Sequence, residues 1–199
     1  MKTIALKSKQ LFCTILLLGS IPFQVSLANE SNADLWQALK QGGKVVLMRH
    51  APVIQSEQAG NPLIRDVSCQ QERNLSDEGK KRAHILGAKF KAHRIEIEAV
   101  LNSPYCRTHD TALIAFGQTN AIQQLSLISS LSPEAAERQT EQLSRKIGNF
   151  QGKGNLILIS HRPNINALSF ESLKHLDFLV LQPNGQGEFE ELGVIRFEP

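Results

Sequence analysis

Short runs of apolar residues alternate along the chain with longer segments in which apolar residues recur every three or four positions. The apolar runs are typical of buried strands and cover residues 44–48, 99–102 and 156–160. Weaker strand patterns cover residues 121–128, 178–181 and 192–197. The periodic segments predict helices over residues 33–40, 77–93, 104–116, 132–150 and 164–173, with Ser76 and Ser132 at positions that favour N-caps. Residues 51–74 are polar and predict a loop.

Strands separated by helices imply a parallel sheet that is covered on both faces. We therefore expect an α/β fold, a three-layer sandwich with a mostly parallel central sheet flanked by helices. Ligands of such sheets bind beyond the carboxyl ends of the strands, so side chains that follow the strands are the candidates for a site.

Residues 1–28 have the pattern of a secretory signal peptide. Three lysines and no acid precede an apolar run at residues 11–23, and the small residues Ser26 and Ala28 stand before a break at Asn29. An uncleaved signal anchor is the alternative, but the run is short for a membrane span and interrupted by Gly19, Ser20 and Pro22. We expect a periplasmic or secreted protein with no stable membrane anchor after cleavage, and a single domain over residues 29–199.

The net positive charge of the chain belongs to this N-terminal segment. The full sequence has 22 basic and 19 acidic residues, and 19 of each remain after residue 28. The remaining chain lacks the basic bias typical of nucleic-acid or anionic membrane binding, so neither is expected as a partner. Cys69 and Cys106 also remain; an oxidising compartment would let them pair, and two separate thiols are the alternative.

Basic side chains follow three of the predicted strands. Arg49 and His50 come directly after the first, Arg107 shortly after the second, and His161 directly after the most apolar one. A neutral imidazole can attack phosphorus, and a guanidinium gives two parallel hydrogen bonds to phosphate oxygens. The pattern therefore indicates phosphoryl transfer in one crevice. The chain offers neither CxxC nor HxxxH spacing nor clustered acids, so we expect no metal and no other cofactor.

Four segments resemble, in order, the signature segments of the histidine phosphatase superfamily, which includes the phosphoglycerate mutases. They are residues 44–51, 74–83, 100–112 and 156–165. The resemblance implies a phosphoglycerate-mutase-like fold and metal-independent hydrolysis of phosphomonoesters. It assigns His50 as the nucleophile, with Arg49, Arg107 and His161 completing the phosphate pocket. Residues 68–74 are similar to a segment of exported members, which implies a disulfide between Cys69 and Cys106.

The proton donor for the leaving group is not defined by these segments. One branch of the superfamily has an Asp directly after the second histidine, where this chain has Arg162. The other branch places a Glu in the loop after the third strand, which makes Glu134 the first candidate and Glu137 the second. Both lie in the first turn of a predicted helix, where acids commonly balance the helix dipole, so a site without any acid is the alternative.

We expect a small phosphorylated substrate, and the resemblance to exported members implies an envelope sugar phosphate. A phosphohistidine or phosphoprotein phosphatase is one alternative, since residues 159–163 are similar to that group, and a non-catalytic phosphate-binding relative is another. Four further histidines have no comparable motif and are expected to have structural or surface roles: His84, His93, His109 and His175.

Overall fold

The computed structural model describes residues 32–56 and 59–198. The predicted signal peptide, residues 1–28, lies outside the described residues. Across the described ranges, no helix combines the length and the apolar character that a membrane crossing requires.

Helices and strands alternate through most of the described chain. The strands are β1 (Val45–Arg49), β2 (Ile97–Asn102), β3 (Asn155–Ser160), β4 (Phe178–Pro183) and β5 (Phe189–Ile195). The helices are α1 (Asn32–Lys40), α2 (Asp77–Ala92), α3 (Cys106–Phe116), α4 (Pro133–Gly148) and α5 (Arg162–Asn166). Helix α5 is a single short turn of the segment that the sequence predicted as helical to residue 173.

The five strands form one mixed sheet in the order β2-β3-β1-β4-β5. Strand β3 pairs in parallel with both β1 and β2, whereas β4 pairs antiparallel with both β1 and β5. The α/β fold with flanking helices is confirmed, but the prediction of a mostly parallel sheet is wrong. The connection between β4 and β5 is a tight turn without a helix and can join only antiparallel neighbours, which accounts for one of the two antiparallel pairs.

Residues 121–128 do not form the strand that was predicted there. They contain one isolated bridge, between Ala121 and Asn102, followed by two short 3-10 turns at Gln123–Leu125 and Ile128–Ser130. Leu125 is fully buried while the polar residues beside it remain partly exposed, so the segment packs through single apolar side chains without a continuous ladder.

Alternate residues of the central strands pack into two separate apolar layers. Val46 and Met48 point to the side covered by α1, α2 and α3, where Phe90 and Phe178 are the largest buried side chains. Residues on the other face of β1, β3 and β4 pack against Leu143 and Ile147 of α4. This period of two explains why the sheet is buried on both faces, as three-layer folds require.

Helices α2 and α3 approach each other closely at Gly87. A Cβ atom added at Gly87 would lie 2.0 Å from the backbone oxygen of Ala115, which is far inside van der Waals contact. The absence of a side chain at this position therefore determines how near the two helices can pack against the sheet.

We predict that Gly87→Ala destabilises the protein although alanine is the better helix former. Alanine gains about 1 kcal/mol of helix propensity, but the overlap with Ala115 forces α2 and α3 apart at a cost of about 1–3 kcal/mol or more. Urea unfolding of the variant checks the sign. Ala88→Gly on the exposed side of α2 is the matched control; if Gly87→Ala stabilises by as much as this control destabilises, the helices are not in tight contact.

Candidate active site

The carboxyl ends of the three parallel strands meet at one edge of the sheet. Arg49 pairs with Ser160, and Asn102 pairs with Ile159. The backbone continues this register, since the N–H of His50 donates to the Ser160 carbonyl at 3.1 Å. The residues that follow the strands are therefore brought together, as the sequence predicted.

A cavity of about 320 Å³ opens at this edge. Its lining residues come from the strand ends, the loop before α2 and the turn before α4. They are Arg49, His50, Val53, Gln55, Pro62, Leu63, Arg73, Arg107, Leu127, Ser129, His161, Arg162, Pro163 and His175. The structure thus brings together four of the predicted site residues: Arg49, His50, Arg107 and His161.

The imidazole of His50 is held with one nitrogen available for attack. Its Nδ1 lies 2.8 Å from the Ala51 carbonyl oxygen, which can only accept, so Nδ1 carries the proton and Nε2 keeps its lone pair. Burial lowers the pKa of His50 well below its usual 6.5, and electrostatic interactions with His161, Arg107 and His175 lower this pKa further. His50 is therefore neutral at neutral pH, which a nucleophile requires.

A buried arginine, Arg107, and a half-buried one, Arg49, each have a buried guanidinium nitrogen without a hydrogen-bond partner among the described residues. Arg107 donates from Nη2 to the Pro62 carbonyl at 3.0 Å and to His161 Nδ1 at 3.2 Å, while its Nη1 has no partner. Arg49 donates to the Leu173 carbonyl at 3.1 Å, while its Nε has no partner. Burial lowers the pKa of Arg107 to about 10, so this group keeps its charge at neutral pH. Buried charged donors without partners are rare, and the oxygens of a phosphate would satisfy both.

His161 is oriented by the residues on either side of it. Its Nδ1 accepts from Arg107, so its Nε2 carries the proton and donates to the Ser103 hydroxyl at 2.8 Å. Burial and then the charges of Arg107 and Arg49 lower the pKa of His161 well below 6.5. His161 is therefore a neutral imidazole whose tautomer is determined by Arg107 and whose N–H is accepted by Ser103.

His175 also lies in the pocket, although no sequence motif marked it. Its Nδ1–H donates to the His50 carbonyl at 2.9 Å, and its Nε2 accepts from Arg49 Nη2 at 3.1 Å. The imidazole of His175 thus connects the His50 carbonyl to the guanidinium of Arg49, the last residue of β1. Burial and then the charge of Arg49 lower the pKa of His175 to about 4, which keeps this acceptor neutral.

The signal that could have located His175 is the direction of β4. An antiparallel strand begins at the edge where its parallel neighbours end, and Phe178 at the start of β4 pairs with Met48 near the end of β1. Residues just before β4 therefore lie beside residues just after β1. The expectation of a mostly parallel sheet placed them at the opposite edge.

The wall of the pocket that contains Pro62 and Leu63 is fastened to the start of α3. Cys69 and Cys106 are joined by a disulfide with 5.9 Å between their Cα atoms. Glu72 is buried beside it; one carboxylate oxygen accepts from the Cys106 N–H at 2.7 Å and the other from the Asp66 N–H at 2.9 Å. Glu72 therefore caps α3, whose own N-cap residue makes no side-chain bond.

The structure does not bring Glu134 into the pocket. Glu134 is exposed in the first turn of α4, where its own backbone N–H and then Ser132 lower its pKa. Neither Glu134 nor Glu137 lines the cavity, and none of the described lining residues carries a carboxylate. The geometry thus gives Glu134 a helix-terminal role and does not support its assignment as proton donor. Across residues 32–56 and 59–198, no group of three potential metal ligands is found.

The comparison with known proteins agrees with this geometry. The family model described as histidine phosphatase superfamily (branch 1) matches residues 45–132. This segment of the chain is therefore similar to that superfamily. The match includes Arg49, His50 and Arg107, and it ends before His161. No curated protein matches the sequence.

Solved structures of phosphatases share the fold. The protein histidine phosphatase SixA, determined with tungstate, has a TM-score of 0.55 and 15% identity over 77% of this chain and 96% of its own. Phosphoserine phosphatase from Entamoeba histolytica, determined with 3-phosphoglyceric acid, has a TM-score of 0.58 and 12% identity over 78% and 98%. A mycobacterial glucosyl-3-phosphoglycerate phosphatase has a TM-score of 0.52 and 12% identity over 75% and 97%. At these identities the likeness shows the fold alone.

We predict that the buried histidines make the protein less stable as the pH falls below 6.5. Each has a folded pKa below its unfolded value, so the unfolded chain binds protons first and the free energy of unfolding decreases with falling pH. For His175 the window runs from 6.5 down to its folded pKa of about 4. Urea unfolding at several pH values in this range, compared with the His175→Asn variant, measures the effect.

The variant removes one of the groups that take up a proton on unfolding, so its stability should depend less steeply on pH than that of the parent protein. Because the carboxylates are the same in both proteins, their contribution cancels in the difference. Parallel curves for the two proteins would show that His175 is not held neutral by the fold.

Proposed function

We propose that the chain is an exported phosphatase that hydrolyses phosphomonoesters through a phosphohistidine intermediate on His50. The observation that carries the proposal is the combination found in one pocket: a neutral buried imidazole with a free Nε2 lone pair, beside two charged guanidinium groups with unpartnered N–H donors. The match of residues 45–132 to the histidine phosphatase family model supports a phosphatase independently.

The first chemical step is an in-line attack of His50 Nε2 on phosphorus. The N–P bond forms as the bond from phosphorus to the ester oxygen breaks, and the leaving oxygen keeps the electron pair of that bond and takes up a proton from water. Arg49 and Arg107 hold the phosphoryl oxygens, on which negative charge is concentrated, and His161 orients Arg107 through the hydrogen bond to its Nδ1. The hydrogen bond from Nδ1 to the Ala51 carbonyl stabilises the positive charge that the phosphorylated ring acquires.

In the second step a water molecule attacks the phosphohistidine. The N–P bond breaks, inorganic phosphate leaves, and His50 returns to its neutral form with the proton still on Nδ1. The positive charge of Arg107, which lowers the pKa of His50, also makes this imidazole a better leaving group in this step.

A second candidate function is the hydrolysis of phosphohistidine or another phosphoprotein. The observation that favours it is the cavity lining, which has no carboxylate among its described residues to protonate a poor leaving group. An imidazole leaves more easily than an alkoxide, and one structural neighbour is a protein histidine phosphatase. Export favours a small phosphorylated substrate over a phosphoprotein. For the first candidate function we propose a sugar phosphate of the cell envelope as the substrate class.

We predict that the purified protein hydrolyses 4-nitrophenyl phosphate and that His50→Ala abolishes turnover. Loss of the nucleophile removes the covalent route, so kcat should fall by about three orders of magnitude or more. His84→Ala on the exposed surface of α2 is the control and should keep full activity. Undiminished turnover in His50→Ala would exclude the mechanism.

A series of phosphate esters with increasingly poor leaving groups separates the two candidate functions. Steeply falling kcat/KM from aryl to alkyl phosphates, together with hydrolysis of phosphoramidates, supports action without a proton donor and favours the second candidate. A shallow dependence of kcat/KM on the leaving group supports a general phosphomonoesterase. It would require a proton donor other than the described residues that line the cavity.

Export gives a separate prediction. Expressed in full in a Gram-negative host, the chain should be recovered from the periplasm as a mature form beginning at Asn29, because residues 1–28 carry the export signal. Cell fractionation and intact-mass measurement test this. A cytoplasmic product that retains residues 1–28 would contradict export without affecting the assignment of His50.

A further inference from the structure

The pocket contains two arginines beyond those that the transferred phosphate requires. Arg49 and Arg107 lie beside His50 and carry the unpartnered donors. Arg73, which is half-buried, and Arg162, which is exposed, also line the cavity. Four guanidinium groups thus surround a space of about 320 Å³.

Each outer arginine lies near one of the inner pair. Burial lowers the pKa of Arg49, and the charge of Arg162 lowers this pKa further. Burial likewise lowers the pKa of Arg107, and the charge of Arg73 adds to that effect. Like charges that line one cavity repel each other, and an anion bound between them would relieve this repulsion.

The nearest buried carboxylates have other partners. Glu72 accepts from the start of α3 and pairs with Arg65, while Asp177 pairs with Arg196 and accepts from the Phe197 N–H. Within residues 32–56 and 59–198, neither Arg73 nor Arg162 forms an ion pair; Arg73 donates only from Nε, to the Gly60 carbonyl. The terminal nitrogens of both outer arginines remain available to a ligand.

We propose that Arg73 and Arg162 bind a second anionic group of the substrate, a carboxylate or a further phosphate, while Arg49 and Arg107 hold the phosphoryl group that is transferred. The assignment rests on the proposed function and narrows its substrate class to phosphate esters with two separated anionic groups. The cavity lining also includes Leu63, Leu127 and Pro163. Their apolar side chains provide contacts for the part of the substrate that joins its two anionic groups.

Two pairs of aryl phosphates that differ in charge alone test the proposal. The 3- and 4-carboxyphenyl phosphates are compared with the 3- and 4-carbamoylphenyl phosphates, which have the same shape without the charge. The ratio of kcat/KM between the charged and the neutral member is measured at both positions. We expect a ratio above about ten for at least one position, as one charge-assisted pair of hydrogen bonds provides.

Substitutions of Arg73 and Arg162 test whether these two arginines cause the preference in kcat/KM for the charged substrate. Arg162→Gln and Arg73→Gln should each reduce the ratio by about fivefold or more, and Arg162→Lys should restore part of the loss because it keeps the charge without the planar pair of donors. Arg145→Gln, exposed on α4 and outside the cavity, is the matched control and should leave the ratio unchanged.

A ratio near one at both positions in the parent protein would overturn the proposal. An equal loss of kcat/KM for both members of a pair would also overturn it, since the arginines would then be structural or contact only the transferred phosphate. The dissociation constants of the matching carboxyphenyl- and carbamoylphenylphosphonates, measured by calorimetry, provide the same ratio without turnover. If no phosphate ester is hydrolysed, the proposed function fails, and the phosphonate ratio still decides whether the second anion is bound.

Discussion

The parallel pairing of β3 with β1 and β2 is the constraint on which the pocket depends. It aligns the three strand ends at one edge of the sheet, so that His50, Ser103 and His161 follow the strands as neighbours. Because side chains alternate along a strand, a shift of one residue in this register would turn the residues at the strand ends toward the opposite face. The site residues are thus positioned by the main-chain hydrogen bonds that the buried strand β3 makes with β1 and β2.

The residues that the sequence could locate are those whose position follows from one strand and its end. His161 directly follows a short apolar run and His50 lies two residues after another, so their common edge could be inferred without knowing the exact sheet order. His175 could not be located in this way, because its place depends on the direction of β4, which is determined by packing between distant segments. Glu134 shows the same limit: a helix N-terminus could be predicted from Ser132, but the path of the turns before it decides that its carboxylate stays outside the cavity.

Burial has opposite consequences for the two kinds of basic side chain in this site. The imidazoles titrate near neutrality, so a lowered pKa makes them neutral and leaves their nitrogens as defined donors and acceptors. The usual pKa of a guanidinium is so high that Arg107 stays charged at neutral pH even with its pKa lowered to about 10. One pocket can therefore contain an uncharged nucleophile and positively charged phosphate-binding groups at the same pH.

The cross-link between Cys69 and Cys106 spans 37 residues of sequence. A covalent loop of that size restricts the unfolded chain and in the chain-entropy model stabilises the folded state by about 4 kcal/mol. Typical domains have a total stability of about 5–15 kcal/mol, so this one bond supplies a considerable share. The bond that fastens the cavity wall also restricts the unfolded ensemble of the whole domain. A reducing agent would consequently weaken the global fold and the phosphate pocket together.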